Sequence, residues 1–407
     1  MMPRFMQTLF EIQSILLNQH KPIYQRKVFT TFRFDNPINC IVGARGVGKT
    51  TFLIDFVKQQ GALENRALYV SADNMFFLKN NLIDLVDTLY KETDVRLLCI
   101  DEIHKQAHWK QQIKNIADTY QNIKIIFTGS SQEDLLQSRY DLSRRVIVYH
   151  LHGLSFREYL EMHYKCEFPV LTLEEMTKNS HDISAKLQLP QAIKAFHDYL
   201  RVGYYPFFDL LRDETEKYQA IRNITQKVIY EDIAMLHSLK TGTLVTIENL
   251  YKFILGSAPG ELNAYKLSSN LKKDFDSISN YLVYLRDAGL IRFLCSNKSG
   301  QAYLRNPPKM YPENSSLLYS AYLNVAEDNL IGKARETFAL NQLQNAGLEV
   351  FFTEHGDFEC QEMLLEIGGK NKSATALKGF ENGWTFADGI LAGFGKKLPL
   401  YWLGFLS

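Results

Sequence analysis

Gly43-Ala44-Arg45-Gly46-Val47-Gly48-Lys49-Thr50 has the residue types and spacing of a phosphate-binding loop, GxxxxGK[ST]. Glycine at 43 and 48 lets backbone N–H groups curl around phosphate oxygens where a Cβ would intrude. Lys49 reaches the β- and γ-phosphates, and the Thr50 hydroxyl is placed to ligate Mg²⁺. Thr51 continues into a helix whose positive dipole end faces the same spot. A second chemical group closes an apolar run, Arg96-Leu97-Leu98-Cys99-Ile100-Asp101-Glu102. Asp101 there would hold Mg²⁺, mostly through water, and Glu102 would polarise an attacking water as general base. The plainer alternative is that Asp-Glu after a strand caps a helix. Ser130 or Ser131, closing Lys124–Gly129, would sit by the γ-phosphate, or simply end a strand in a turn. Arg144 or Arg145 would act as a finger on the γ-phosphate of this subunit or a neighbour, worth about 10³–10⁵ in rate. Two solvated or structural arginines are the alternative.

These residues need a frame. Ile38–Val42 reads as a strand entering the loop, and Thr51–Gln59 as the helix leaving it. Leu68–Val70, Arg96–Ile100 and Lys124–Gly129 read as further core strands, because strands buried on both faces appear as continuous apolar runs. Their C-terminal ends are where an α/β sheet builds its site. Val28–Phe34 alternates and reads as a strand beside the loop, Val146–Tyr149 as another, and Leu82–Tyr90 as an amphipathic helix. At the start of the chain Phe5, Leu9, Ile12, Ile15 and Leu16 share one helical face.

At 407 residues, 46% of them apolar, the chain has room for two or three domains with real cores. A net charge of +1 exerts no global pull toward nucleic acid or membrane. The five cysteines form no CxxC pair, which fits buried, reduced thiols in a cytoplasmic protein better than disulfides or zinc. No apolar run approaches the roughly 20 residues that span a bilayer, and the start has no signal-peptide layout.

Leu98-Cys99-Ile100-Asp101-Glu102-Ile103-His104-Lys105, Trp109, Phe127-Thr128-Gly129-Ser130-Ser131, Asp141-Leu142-Ser143-Arg144-Arg145 and Gly153-Leu154-Ser155-Phe156-Arg157-Glu158-Tyr159-Leu160 together resemble one family. It is the prokaryotic AAA-type P-loop ATPases that carry a C-terminal domain of unknown function with a restriction-endonuclease-like core. The resemblance runs over nearly the whole chain. It implies Lys49, Thr50, Asp101 and Glu102 as ATPase residues, Ser130 as sensor and Arg145 as the finger. It also implies ATP, which the residues by themselves do not distinguish from GTP.

The resulting expectation is an α/β chain: an N-terminal helix (1–22), a P-loop parallel sheet (23–150), a helical lid (151–240), a winged helix (241–295), a linker (296–314) and a small nuclease-like α/β domain (315–407). In the lid, Phe156–Tyr164 and Lys186–Leu200 are amphipathic. Helices at Ile247–Leu255, Asn263–Leu271 and Phe275–Ala288 and a strand at Leu290–Leu294 suggest the winged helix. From Lys240 to Lys309 ten Lys/Arg face five Asp/Glu, net +5. That permits DNA contact, while Asp274, Asp276 and Asp287 on or beside the third helix argue against strong binding. Pro307, Pro308 and Pro312 mark the linker. Beyond it Leu317–Gly347 reads as helical, with short strands at Glu349–Phe352, Asp357–Cys360, Met363–Ile367, Trp384–Ala387 and Tyr401–Phe405. Asp357, Glu366 and the helix-borne Glu336 fit the carboxylates of a PD-(D/E)xK nuclease, which hold Mg²⁺ beside a lysine. Gly368 stands where that lysine belongs, and Lys370 is displaced by two residues, about 6.5 Å along the strand. From Met310 to Ser407 seven Lys/Arg face twelve Asp/Glu, net −5, which suits DNA badly. The function read from the sequence is an Mg²⁺-dependent ATPase acting as a nucleotide-driven switch on its C-terminal domains. The alternative is an ATP-gated DNA nuclease or DNA-binding regulator. Self-association and an unidentified protein partner are expected; a membrane is not.

Overall fold

The computed structural model describes residues 3–21, 24–62, 65–129, 142, 145–187, 189, 191–260, 262–297, 306–322 and 327–407. The chain divides into two compact units, Met1–His152 and Gly153–Ser407.

The first unit runs α1 (Arg4–Gln19), α2 (Val28–Thr31), β1 (Ile38–Val42), α3 (Lys49–Gln59), β2 (Ala67–Ser71), α4 (Leu82–Glu92), β3 (Leu97–Asp101), α5 (Trp109–Thr119), β4 (Lys124–Gly129) and β5 (Val146–His150). Among the described residues the strands form one parallel sheet in the order β2-β3-β4-β1-β5. β1 and β3 are buried along their whole length, as strands covered on both faces must be. Leu82, Leu85, Val86 and Leu89 form the buried stripe of α4, with the Asn81 side chain accepting from the Asp84 N–H at its start.

Two local expectations fail here. Val28–Thr31 is a helical turn rather than a strand. The Thr30 and Thr31 hydroxyls bond carbonyls three residues back, a local alternative to a strand ladder. Phe29, Phe32 and Phe34 then pack around Phe52 on α3. In α1 the buried residues are Met6, Leu9, Gln13 and Leu17, and Ile15 is exposed. The contact face is thus rotated from the one marked by the apolar residues, because a glutamine is used at its centre.

The second unit begins with helices α6 (Phe156–Tyr164), α7 (Leu173–Lys178), α8 (Ser180–Lys186), α9 (Ala192–Val202) and α10 (Glu214–Lys227). α10 passes through a π turn, Val228–Ile233, into α11 (Ala234–His237). α12 (Thr241–Gly256), α13 (Ala264–Leu271) and α14 (Phe275–Asp287) follow, then β6 (Ile291–Leu294) paired antiparallel with β7 (Lys309–Pro312). The expected linker therefore contains a strand. Met310 and Tyr311 are buried in it, and the flanking prolines bound it rather than abolish it. α15 (Ser315–Ala321) and α16 (Glu327–Asn345) replace the single expected helix.

The unit closes on a mixed sheet of β8 (Val350–Phe351), β9 (Phe358–Cys360), β10 (Met363–Gly369), β11 (Gly383–Asp388) and β12 (Lys397–Pro399), in the order β12-β11-β10-β9-β8. β10–β11 and β11–β12 are parallel; β8–β9 and β9–β10 are antiparallel. Leu400–Phe405 is a 3₁₀ turn rather than the expected strand. All six of its residues are buried, so the apolar run that suggested a buried strand is met by a buried turn instead. The segment read as a lid packs within this same unit, α9 and α10 against α15.

Candidate active site

The loop after β1 follows its sequence. A Cβ on Gly43 would lie 2.2 Å from the Leu151 carbonyl oxygen, so the close approach excludes any larger residue. Gly48 has φ +101° and starts α3. Arg26, buried, donates to the Val47 carbonyl at 3.2 Å and the His152 carbonyl at 2.7 Å, fixing the loop to the end of β5. Lys49 lies back across the loop, its Nζ donating to the carbonyls of Gly43 (2.7 Å) and Ala44 (2.9 Å). Thr51 sits in the first turn of α3. His20 Nε2 meets Asp55 Oδ1 of α3 at 2.8 Å.

β4 lies between the strands that carry the loop and the carboxylates, and this order brings Thr50 to Asp101. The Thr50 hydroxyl donates to Asp101 Oδ2 at 2.5 Å, the Tyr69 phenol donates to the same oxygen at 3.1 Å, and the Thr128 hydroxyl donates to Oδ1. Thr128 in turn accepts from the Glu102 N–H at 3.1 Å. Glu102 holds a left-handed backbone, φ +51°, which turns its side chain out of line with the strand. Burial raises its carboxyl above the usual range, the positive charge of Arg45 opposes this, and Asp101 adds to it. A base of raised affinity beside a fixed carboxylate is what water activation needs.

The donor set fits a hard cation: a threonine hydroxyl and a carboxylate in contact, both oxygen, at the mouth of a loop built for phosphate. Thr50 and Asp101 would hold Mg²⁺, which would screen the phosphate oxygens when bound.

Ser130 and Arg144 lie outside the described residues. Arg145 is described, and it does not reach its own loop. His150 is the β5 residue beside Val42, and Arg145 precedes the strand, about 16 Å back at about 3.3 Å per residue. Its Nε pairs with Asp118 at 2.9 Å. Sequence reasoning missed Thr128, Tyr69 and Arg26. Thr128 had a signal: a polar residue inside an apolar strand next to the carboxylate strand.

The second candidate group gathers around β10. The Ile367 N–H donates to Asp357 Oδ2 at 2.8 Å, and Lys309 Nζ lies 3.7 Å from Asp357 Oδ1. Tyr311 donates to Glu336 Oε2 at 2.8 Å. Burial pushes the Glu336 carboxyl up to about 7, with the Asp357 charge adding to it. Lys370 is not the lysine of this group. Lys372 is: its Nζ lies 2.6 Å from Glu366 Oε1. A Cβ on Gly368 would sit 2.5–2.8 Å from Lys372 Cβ, Cγ and Cδ, so the lysine stem crosses the space that a side chain at 368 would fill. The turn after Gly369 lets the chain fold back over the strand end, which spacing along an extended strand does not reveal. Among the described residues no group of three or more His, Cys, Asp or Glu side chains is arranged to hold a metal ion.

Residues 35–160 match a family model described as an AAA domain (AAA_14), and residues 193–329 match one described as a domain of unknown function (DUF8612). The second match covers α9 to the start of α16 and ends before the C-terminal sheet. The loop, the sheet order and the first match define the class of the first unit: an AAA-type P-loop domain. The chain is 32% identical over 248 residues to the uncharacterized protein MJ1637 of Methanocaldococcus jannaschii, covering 56% of this chain and 50% of that protein. It is 24% identical over 351 residues to the uncharacterized protein MJ1544 of the same organism, covering 83% of this chain and 73% of that one. This chain thus spans half the length of the first relative. Among solved structures, Aeropyrum pernix ORC1 in complex with DNA aligns with 80% of this chain and 93% of its own, at 13% identity and a TM-score of 0.32. AMPPCP-bound DnaA from Aquifex aeolicus aligns with 70% and 88%, at 16% identity and a TM-score of 0.26. Among the described residues no helix is long and apolar enough to cross a membrane.

Proposed function

We propose that the first unit binds and hydrolyses ATP with Mg²⁺ and serves as a nucleotide-driven switch on the second. The observation that carries this reading is the contact of Thr50 with Asp101 at 2.5 Å, with Lys49 in the loop behind and Glu102 one residue further on. Backbone N–H groups of Gly43 to Thr50 cradle the phosphates. Lys49 exchanges its two carbonyl partners for phosphate oxygens. Glu102, held half-buried, takes a proton from the attacking water as its O–P bond forms and the γ-phosphoryl leaves ADP. Arg145, paired with Asp118 at the far end of β5 from its own loop, is assigned no part in hydrolysis within its own subunit. The test is steady-state ATP hydrolysis with Mg²⁺ across a range of protein concentrations. Turnover lost in Lys49→Ala and in Glu102→Gln supports the reading; turnover equal to wild type in Glu102→Gln overturns the base.

A second reading, DNA phosphodiester cleavage at the C-terminal sheet, is favoured by one observation. Lys372 crosses Gly368 and pairs with Glu366, which returns a lysine to the position that the spacing had left empty. Asp357 and Glu366 are both met by lysines, Lys309 and Lys372. Plasmid nicking that requires divalent metal and disappears in Asp357→Ala and Lys372→Ala would support it. Intact plasmid under all conditions would remove it.

A further inference from the structure

The Asp101 carboxylate is held from three directions. Thr50 belongs to the loop helix and Thr128 to the neighbouring strand β4, while the third donor comes from β2, at the edge of the sheet. Tyr69 is buried, and its phenol crosses to Asp101 Oδ2 on the adjacent strand. With Thr128 on Oδ1 and Tyr69 on Oδ2, both oxygens are tied and the carboxylate cannot swing about its last torsion.

The phenol is itself anchored. An edge strand has unpaired backbone groups, and here a side chain supplies the missing partner. Gln13 of α1, 2% exposed, accepts from the Tyr69 N–H at 2.6 Å and donates to the Ala67 carbonyl at 3.2 Å. One amide thus acts as a short extra strand, at the residue whose ring reaches the active site. Burial and the Asp101 charge both hold the phenol in its protonated, donating form.

We propose that Tyr69 is a positioning residue for the divalent cation of the nucleotide site, fixing the Asp101 carboxylate so that metal binds without first ordering its ligand. The inference rests on the ATPase reading above. A hydrogen bond to a metal-ligating carboxylate orients it and sets its affinity, and losing such a partner typically costs about 10-fold to 100-fold in metal affinity. Gln13 serves the same end at one remove, by holding the strand edge from which the phenol projects.

Tyr69→Phe tests this, because it keeps the ring and removes only the hydroxyl. Two bindings are measured on the full chain: a fluorescent ATP analogue in EDTA, and Mn²⁺ by electron paramagnetic resonance with a non-hydrolysable ATP analogue present. The expected result is unchanged nucleotide affinity in EDTA with Mn²⁺ affinity weakened about 10-fold. The Mg²⁺ concentration for half-maximal hydrolysis should rise by the same factor, while kcat recovers at saturating Mg²⁺. Unchanged Mn²⁺ affinity would overturn the proposal, as would an equal loss in EDTA and in Mn²⁺, which marks a purely structural tyrosine. Wild-type protein that takes up no ATP analogue would instead refute the ATPase reading. Wild-type binding with an unaltered Tyr69→Phe would refute the role of Tyr69 alone.

Discussion

The two carboxylate groups of this chain meet their negative charge differently. Asp101 is met by three hydroxyls, from Thr50, Tyr69 and Thr128. Asp357 and Glu366 are met by ammonium groups, Lys309 at 3.7 Å and Lys372 at 2.6 Å. Hydroxyls orient a carboxylate without cancelling its charge, so the first group keeps its full attraction for an incoming cation. The second carries its own counter-ions, and a metal entering there must displace or repel them. On the proposed reading, the first is therefore open to a cation. The second is stable as it stands, which suits either a lysine that acts on substrate or an ion-pair network that no longer does chemistry.

The largest effect should separate the groups outright. Lys49→Ala is expected to weaken nucleotide binding more than 100-fold, read by titration of a fluorescent ATP analogue, and to leave the second group untouched. Glu102→Gln should bind nucleotide as wild type does and lose about 10²- to 10⁴-fold in kcat. A smaller change would mean that water is activated by another residue.

The second group is sharpened by its pH response. Burial favours the neutral form of Glu336, from an ordinary 4.5 to about 7. A carboxyl raised on folding stabilises the chain below its unfolded value and loses that contribution as pH rises through the folded one. Stability should fall between about pH 4.5 and 7, by of order 3 kcal/mol at most. Glu336→Gln should flatten this segment of the urea-midpoint profile. An unchanged profile would show that Glu336 is paired well enough to ionise in the fold.

Gly43→Ala should cost about 1–3 kcal/mol through overlap with the Leu151 carbonyl, seen as a lower melting temperature. The smallest expected effect is at Arg145. Arg145→Ala should leave turnover per subunit unchanged in dilute protein, because the residue is about 16 Å along the sheet from its own loop. A loss of activity that appears only at high protein concentration would give it a role toward a neighbouring copy.

The first group was legible because its chemistry is local. A glycine loop must be contiguous to wrap a phosphate, and a strand buried on both faces must be apolar until its functional end. Gly43 to Thr50 and Leu97 to Glu102 therefore announce the elements they form. β2, β4 and α4 followed from the same continuous or periodic burial. Residues acting across strands were not legible. Tyr69 looks like an ordinary member of an apolar run and Thr128 stands out only as a polar residue within one, and the order β2-β3-β4-β1 is what makes them neighbours of Asp101. The Val28–Phe34 strand failed because the Thr30 and Thr31 hydroxyls bond carbonyls three residues back and favour a turn, and the Tyr401–Phe405 strand because a short, fully buried apolar run does not by its pattern distinguish a strand from a helical turn.

The sequence by itself determined a phosphate loop, a carboxylate strand and a parallel α/β unit, since each depends on residues adjacent in the chain. Tertiary structure decided which side chains complete the sites. It put Gln13 on the β2 edge, Tyr69 and Thr128 on Asp101, and Lys372 rather than Lys370 on Glu366. The physical reason is that hydrogen bonds and ion pairs act over about 3 Å in space, while the residues that make them are brought together by strand order and turns that no local spacing encodes.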